Sequence, residues 1–249
     1  MGVLSIVTKL PNFFIIIVLF ITTFLLSFLL LSCYQEAKAY SGAFLTSFKF
    51  NRDEMSLVTF NGTTDNEQLS GFSIDIGYLN FCVNYNNDTT CSSFDNIAKL
   101  NYYPLIQVVN GDDESTIDLV KLAKKFNDMC FSYVLMAALI LVLAAMAMMF
   151  WIMIPLLPGK KLARKTASAM LLLNGILWGV GSMLQHEAVK ASAYLVPISS
   201  INLIKVQTGI RAESMTWVAF CFICVCFIGN TILLVKETKI AKNDQGSKY

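Results

Sequence analysis

The sequence has little charge and almost no histidine. Only 14% of its 249 residues are charged, whereas a soluble domain usually carries about a quarter. The single histidine, His186, stands beside Glu187, and the chain has no Cys/His metal-ligand spacing, Gly-rich phosphate loop or nucleophile elbow. We therefore predict that the protein is not an enzyme, needs no cofactor and has no nucleic-acid partner. His186 is interpreted as a polar residue at a membrane interface.

Charge is entirely absent from four long apolar runs. These are Phe13–Ser32, Phe131–Leu157, Ala167–Gln185 and Met215–Val235. About 20 apolar residues in a helix cross a hydrocarbon core of roughly 30 Å, so each run predicts a transmembrane span. Ala37-Lys38-Ala39 resembles a signal-peptide cleavage site, but the first run is longer than the usual 7–15 apolar residues. A retained anchor is favoured over a cleaved signal peptide.

The distribution of charge predicts the orientation of the chain in its membrane. The loop 158–166 has four basic residues and no acid, and the tail 236–249 is also basic, whereas segment 33–130 has 13 acids and 7 bases. Because Lys and Arg accumulate on the cytoplasmic side, we expect residues 1–12, the basic loop and the tail inside. Segments 33–130 and 186–214 are then extracellular, and both N-glycosylation sequons, at Asn61 and Asn87, fall in the former.

Alternating apolar residues predict a small antiparallel sheet in the first outer segment. Period-two patterns occur in Ala43–Phe50, Phe72–Tyr78 and Phe81–Tyr85, and Tyr102–Val109 is rich in β-forming residues. A helical pattern follows over Ser115–Asp128, where Ser115 and Asp118 approximate a capping box, and we expect this helix to continue into the second span. In the second outer segment, Ala193–Ile204 either dips into the membrane interface or extends the sheet.

The cysteines divide by location. Cys82 and Cys91 lie in the acidic outer segment, where oxidising conditions favour a disulfide. Closing that hairpin would stabilise the sheet by roughly 2–4 kcal/mol. Cys33 and Cys130 flank the first two spans and either pair or remain free. The three cysteines of the last span are interpreted as small apolar residues: Cys221, Cys224 and Cys226.

The motif Gly77-Tyr78, then Cys82-Val83 and Cys91, resembles the outer-loop signature of claudin-like four-span proteins. With Cys33 after the first span, it is most similar to the fungal calcium-regulator and membrane-fusion family induced during mating. The resemblance implies an α+β membrane protein, in which a four-helix transmembrane bundle carries a small extracellular antiparallel sheet. Leu79 stands where claudins have a Trp, which disfavours animal-type junction sealing.

This resemblance implies low-affinity calcium influx and cell–cell membrane fusion during mating, through the disulfide-bonded outer loop. Its implied partners are lipid, a second copy, a calcium channel or the surface of a partner cell. Another fungal branch, the four-span scaffold proteins of static membrane domains, shares the Gly-aromatic-Cys theme. A structural organiser without an effect on ion transport therefore stays open as the alternative.

Two further patterns bear on ion handling and packing. Asp112, Asp113 and Glu114 form an acidic cluster of hard oxygen ligands suited to Ca2+, although without EF-hand spacing. The spans contain no acid, so a pore within a single copy is not expected; an oligomer or the regulation of another channel remains. Gly175 and Gly179 have small-xxx-small spacing, which predicts close helix packing within the bundle in preference to dimerisation.

Overall fold

A computed structural model describes residues 2–34, 42–51, 71–85, 88–94, 105–110, 113–129, 132–154 and 158–246. Among these residues there are five helices: α1 Gly2–Leu30, α2 Leu119–Met129, α3 Ser132–Met153, α4 Lys160–Ser199 and α5 Ile210–Gly246. The same described ranges contain seven strands: β1 Thr46–Phe50, β2 Ser73–Ile76, β3 Asn80–Tyr85, β4 Asp88–Ser93, β5 Leu105–Asn110, β6 Asp113–Asp118 and β7 Ile204–Thr208.

Four of these helices are long and apolar enough to cross a membrane. Over the described residues the candidate spans are Leu10–Leu30, Ser132–Met153, Lys160–Ser199 and Ile210–Lys239. Together with the antiparallel strands they confirm an α+β, multi-pass membrane protein. The third candidate span, α4, is 40 residues long and extends beyond the predicted span 167–185 at both ends. Most of the basic loop 158–166 and the first part of segment 186–214 are therefore helical.

The chain divides into two compact units. The helical unit comprises Met1–Ser27, Tyr133–Ser182 and Thr216–Tyr249, and the β-rich unit comprises Phe28–Ser132 and Met183–Met215. In the helical unit, α3 buries one stripe of side chains at alternating spacings of three and four: Leu135, Ala138, Val142, Ala145, Met149 and Ile152. This spacing is typical of a helix packed along a single seam. On α4, Trp178 is buried and donates from Nε1 to the Thr216 carbonyl at 3.3 Å.

The β-rich unit contains a five-stranded antiparallel sheet in the order β4-β3-β2-β1-β7. Its last strand comes from the second predicted outer segment, and Phe48 of β1 stands opposite Val206 of β7. Neither prediction for Ala193–Ile204 describes that whole stretch, because α4 continues to Ser199 and β7 begins at Ile204. The aromatic side chains Phe48 and Phe81 are fully buried in this unit. Phe126 of α2 contacts Phe48 at a ring-centroid distance of 6.1 Å.

The segment before α2 differs from its sequence prediction. Residues Asp113–Asp118 form β6, which pairs with β5 in a separate two-stranded ribbon. The helix predicted from Ser115 therefore begins at Leu119, and the capping box of Ser115 with Asp118 was wrong. Instead, Asp118 Oδ1 accepts a hydrogen bond from the Lys121 backbone N at 2.9 Å. A carboxylate that satisfies the third amide of a helix is an ordinary N-cap, so Asp118 starts the helix itself.

Candidate functional site around Gly77 and the disulfide

Gly77 lies where β2 ends, directly against the end of α1. A Cβ built on Gly77 would stand 2.6 Å from both the carbonyl oxygen and Oγ of Ser32. No real Cβ approaches a backbone oxygen so closely, so any side chain at this position would force the two segments apart. The backbone N of the adjacent Tyr78 donates a hydrogen bond to Ser32 Oγ at 3.3 Å. The first residue of the motif is therefore required by a close backbone approach.

Tyr78, the second residue of the motif, connects the sheet to α4. Its ring is buried, and its hydroxyl donates a hydrogen bond to Gln185 Oε1. A buried tyrosine normally needs a partner for its hydroxyl, and Gln185 supplies one here. Gly77 and Tyr78 thus attach the end of β2 to Ser32, in the turn after α1, and to Gln185 on α4.

The disulfide between Cys82 and Cys91 is present in the structure. The two residues stand directly opposite each other on β3 and β4, with their Cα atoms 4.0 Å apart. Because the other side of β3 pairs with β2, the bond ties the edge strand β4 to the interior of the sheet. The backbone link is short, since Tyr85 pairs with Asp88. The disulfide therefore fixes a hairpin whose pairing is already local.

A free cysteine lies beneath this disulfide. Cys33 is fully buried with a positive φ of 59°. Its Sγ approaches the Asp75 carbonyl oxygen at 3.6 Å, and its own carbonyl oxygen lies 3.7 Å from Cys82 Sγ. Burial, with a further contribution from the charge of Asp75, raises the pKa of the Cys33 thiol to about 12. Since the thiolate is the attacking form in disulfide exchange, the neighbouring bond is protected from this thiol.

Asp75 is a nearly buried carboxylate at the centre of the sheet. It stands opposite Ser47 on one side and Cys82 on the other, and its Oδ2 accepts from Asn84 Nδ2 at 2.7 Å. Burial raises the pKa of Asp75, while the nearby Ser47 hydroxyl, the hydrogen bond from Asn84 and the charge of Lys49 partly oppose that rise. Thr89 extends the polar row by donating to Asn84 Oδ1 at 2.7 Å. The sequence pattern alone did not show whether Asp75 is buried or faces solvent.

The helical unit contains a polar cluster that the sequence did not indicate. Arg164, predicted as a loop residue, is 2% exposed on α4. Its Nη2 donates to Asn12 Oδ1 at 3.0 Å and lies 3.1 Å from Glu237 Oε1. Its carbonyl oxygen accepts from Asn230 Nδ2 at 3.3 Å. In the described part of the chain, Arg164 Nε and Nη1 have no hydrogen-bond partner. This cluster, which we call the Arg164 cluster, joins α1, α4 and α5.

The two glycines predicted for helix packing differ in their surroundings. A Cβ on Gly179 would meet Phe220 Cε2 at 2.8 Å, whereas a Cβ on Gly175 would meet Ile223 Cγ2 at an ordinary 3.8 Å. Both neighbours are on α5, within the same unit of the same chain. The close α4–α5 contact therefore depends on Gly179, and position 175 has room for a methyl group.

The structure describes only some of the other predicted site residues. Asn61, Asn87, Asp112 and Cys130 lie outside the described residues. Asp113 and Glu114 begin β6, where they pair with Asn110 and Val109. Within the described ranges, no three His, Cys, Asp or Glu residues are grouped closely enough to hold a metal ion. His186 Nδ1 lies 3.0 Å from Glu213 Oε1. This contact links the end of α4 to the start of α5 within the β-rich unit.

Two comparisons with known proteins agree with each other. The family model described as "Ca2+ regulator and membrane fusion protein Fig1" matches residues 58–236. The chain is also similar to the Factor-induced gene 1 protein of Saccharomyces cerevisiae (strain ATCC 204508 / S288c). The two are 28% identical over 269 residues, covering 95% of this chain and 88% of the relative. The family match includes the whole motif from Gly77 to Cys91, all of α3 and α4, and α5 as far as Lys236.

Proposed function

Because the chain belongs to the family of the Ca2+ regulator and membrane fusion protein Fig1, we propose that it supports low-affinity calcium influx and cell–cell fusion during fungal mating. The family resemblance drawn from the sequence motif is thereby confirmed. The observation that carries the proposal is the match over residues 58–236, which contains the sheet-forming motif. The family description names regulation and fusion, and no reaction.

In this proposal the protein resides in the plasma membrane with both termini in the cytoplasm. Lys160, Lys161, Lys165 and Lys236 support that orientation, because basic residues are retained on the inner side. The β-rich unit is then extracellular, in a claudin-like arrangement. There the Cys82–Cys91 disulfide forms and persists under oxidising conditions.

We assign the chain a regulatory part in calcium entry. The four apolar stretches contain no acid, and ion paths through membranes are commonly marked by intramembrane acids or rings of charge. Calcium influx then depends on a partner channel or on several copies together. In this scheme Asp112, Asp113 and Glu114 concentrate Ca2+ near the outer surface as weak oxygen ligands. The sheet contacts the partner cell or the channel.

The test is calcium uptake and fusion in mating fungal cells that lack the protein, with and without re-expression at a measured surface level. We expect both readouts to fall on deletion and to recover with the wild-type chain. Recovery should fail with Gly77→Ala, because that side chain collides with Ser32, and should succeed with Gly175→Ala as the matched control. Unchanged uptake and fusion after deletion would overturn the proposal and favour a structural organiser of membrane domains.

A further inference from the structure

The end of α4 carries an exposed apolar surface that none of the residues described in the structure covers. Tyr194, Leu195, Ile198 and Ile201 are each more than 60% exposed, and Ile201 reaches 76%. Tyr194, Leu195 and Ile198 stand at positions i, i+1 and i+4 on one side of the helix, and Ile201 follows in the turn. We call these four residues the apolar tip. The next residues along the chain, Leu203 and Ile204, are buried, so the turn separates an exposed apolar group from a buried one.

At the apolar tip, Ile201 adopts a left-handed backbone conformation that isoleucine normally avoids. Asn202 N donates to the Pro197 carbonyl at 2.7 Å and Ile201 N donates to the Ile198 carbonyl at 3.4 Å. These two bonds form a Schellman motif with Ile201 at C′, the position usually occupied by glycine in the left-handed conformation. Ile201 has φ 51°, which is a genuine outlier for a β-branched residue.

This strain indicates that the isoleucine side chain is needed for something other than folding. A glycine would close the helix at lower cost, and the Ile201 side chain is too exposed to contribute much to a core. Strained non-glycine residues cluster at binding sites, where surrounding structure maintains them for function. Ser200 Oγ stabilises the turn by donating to the Pro197 carbonyl at 3.3 Å and accepting from Ile204 N at 3.2 Å.

The tip lies beyond the end of the sequence-predicted membrane span 167–185 of α4. The exposed large apolar residues of α4 stop at Leu184 and resume at Tyr194, ten positions later, and Gln185, His186, Glu187 and Lys190 lie between them. Ten residues of α-helix rise about 15 Å. Even at a tilt of about 40°, the upper end of the usual range, the rise along the membrane normal is about 11 Å. The headgroup layer on one side is only about 5–8 Å thick.

The surrounding charge matches a lipid surface. Lys190, Lys205 and Arg211 are exposed, and no acid occurs between Ala188 and Ala212. A bulky aliphatic surface with a tyrosine and neighbouring basic residues is the composition that binds a bilayer interface, where basic side chains meet the lipid phosphates. We propose that the apolar tip inserts into the interface of a second, apposed membrane and holds it close. This inference rests on the proposed role in membrane fusion and identifies the surface that would perform the contact.

The direct test uses the full chain in phosphatidylcholine proteoliposomes; the fraction with outward-facing β-rich units is measured on a separate sample by disulfide accessibility to a membrane-impermeant reductant. The probe is a dye-labelled, protein-free vesicle of phosphatidylcholine mixed with phosphatidylserine. We expect wild-type proteoliposomes to capture these vesicles. Ile201→Gly should reduce capture by about tenfold, whereas Ile201→Val should lose about fourfold at most.

A folding effect is separated by thermal unfolding in detergent. Ile201→Gly should melt at or above the wild-type temperature, because glycine relieves the left-handed strain. Capture equal in wild type and Ile201→Gly would overturn the inference. So would capture that requires the protein in both vesicle populations, since the tip would then bind a second copy. A lowered melting temperature for Ile201→Gly would assign Ile201 to packing and also overturn it.

Mating cells distinguish this inference from the proposed function. If deletion leaves calcium uptake and fusion unchanged, the proposed function itself fails. If deletion abolishes fusion but Ile201→Gly cells fuse normally at equal surface levels, only the role of the apolar tip fails. The expected result is loss of fusion in both the deletion and Ile201→Gly cells, with normal fusion for Ile201→Val.

Discussion

Arg164 Nη2 lies 3.1 Å from Glu237 Oε1, and this ion pair joins the first turns of α4 to the far end of α5. The arginine is 2% exposed, whereas the glutamate side chain is 42% exposed. A buried guanidinium that loses its acidic partner remains desolvated and uncompensated. Glu237 therefore stabilises the buried charge of Arg164, which stays out of contact with water while the helices are packed.

The ion pair predicts that Glu237→Gln lowers the stability of the helical unit. The expected loss is about 1–2 kcal/mol, below the value for a fully buried pair because solvent screens Glu237. Thermal unfolding of the detergent-purified chain is the measurement. Lys236→Gln, an exposed neighbour on the same helix, should leave the melting temperature unchanged. Equal melting temperatures for the two variants would contradict this prediction.

Gly179→Ala and Gly175→Ala form a matched pair on one helix. The added methyl at position 179 meets Phe220, whose ring is held edge-on to Trp217 at a centroid distance of 6.2 Å. We expect Gly179→Ala to destabilise the protein by about 1 kcal/mol, the difference between overpacking and improved helix propensity. At position 175 only the gain in propensity remains, so stability should rise by up to about 1 kcal/mol. Melting temperatures that move in the same direction would show that the α4–α5 contact is not limited by Gly179.

Asp75→Asn should change how stability depends on pH. Burial raises the pKa of Asp75 above its ordinary 3.8, so the folded state binds its proton more tightly than the unfolded state. Stability then falls as pH rises from near 3.8 through the folded pKa, and the lost part stays lost at higher pH. The asparagine variant lacks this dependence and keeps an oxygen for Asn84 Nδ2. Its melting temperature should gain on the wild type as the pH rises above the ordinary Asp pKa of 3.8; a difference independent of pH would contradict the assignment.

Cys82→Ser should disrupt folding of the β-rich unit and reduce delivery to the cell surface. Losing a native disulfide from a small secreted domain typically costs about 2–5 kcal/mol. Non-reducing gel mobility and surface labelling give the two readouts. Cys221→Ser, which changes a free, exposed cysteine on α5, is the control and should behave as wild type. Unchanged mobility together with normal trafficking in Cys82→Ser would disprove the structural role of the bond.

The membrane character of the chain and much of its sheet could be predicted from sequence because both are local properties. A run such as Phe13–Ser32 without a single charge partitions into lipid whatever the rest of the chain does. Alternation over Phe72–Tyr78 indicated β2, and the spacing of Cys82 and Cys91 indicated a hairpin whose strands are adjacent in sequence. The family motif was also contiguous, and it identified the family before any contact was known.

Only the tertiary structure decided where these elements meet. The pairing of Phe48 with Val206 joins segments separated by three helices, and no local pattern specifies such a partner. Arg164 appeared to be one of several loop bases, yet packing of α1 and α5 buried it beside Asn12 and Glu237. Likewise, Gly77 is required by Ser32 and Ile201 is strained by its turn. Hydropathy and alternation depend on neighbours within one element, whereas these constraints arise from atoms that come close only when the chain is folded.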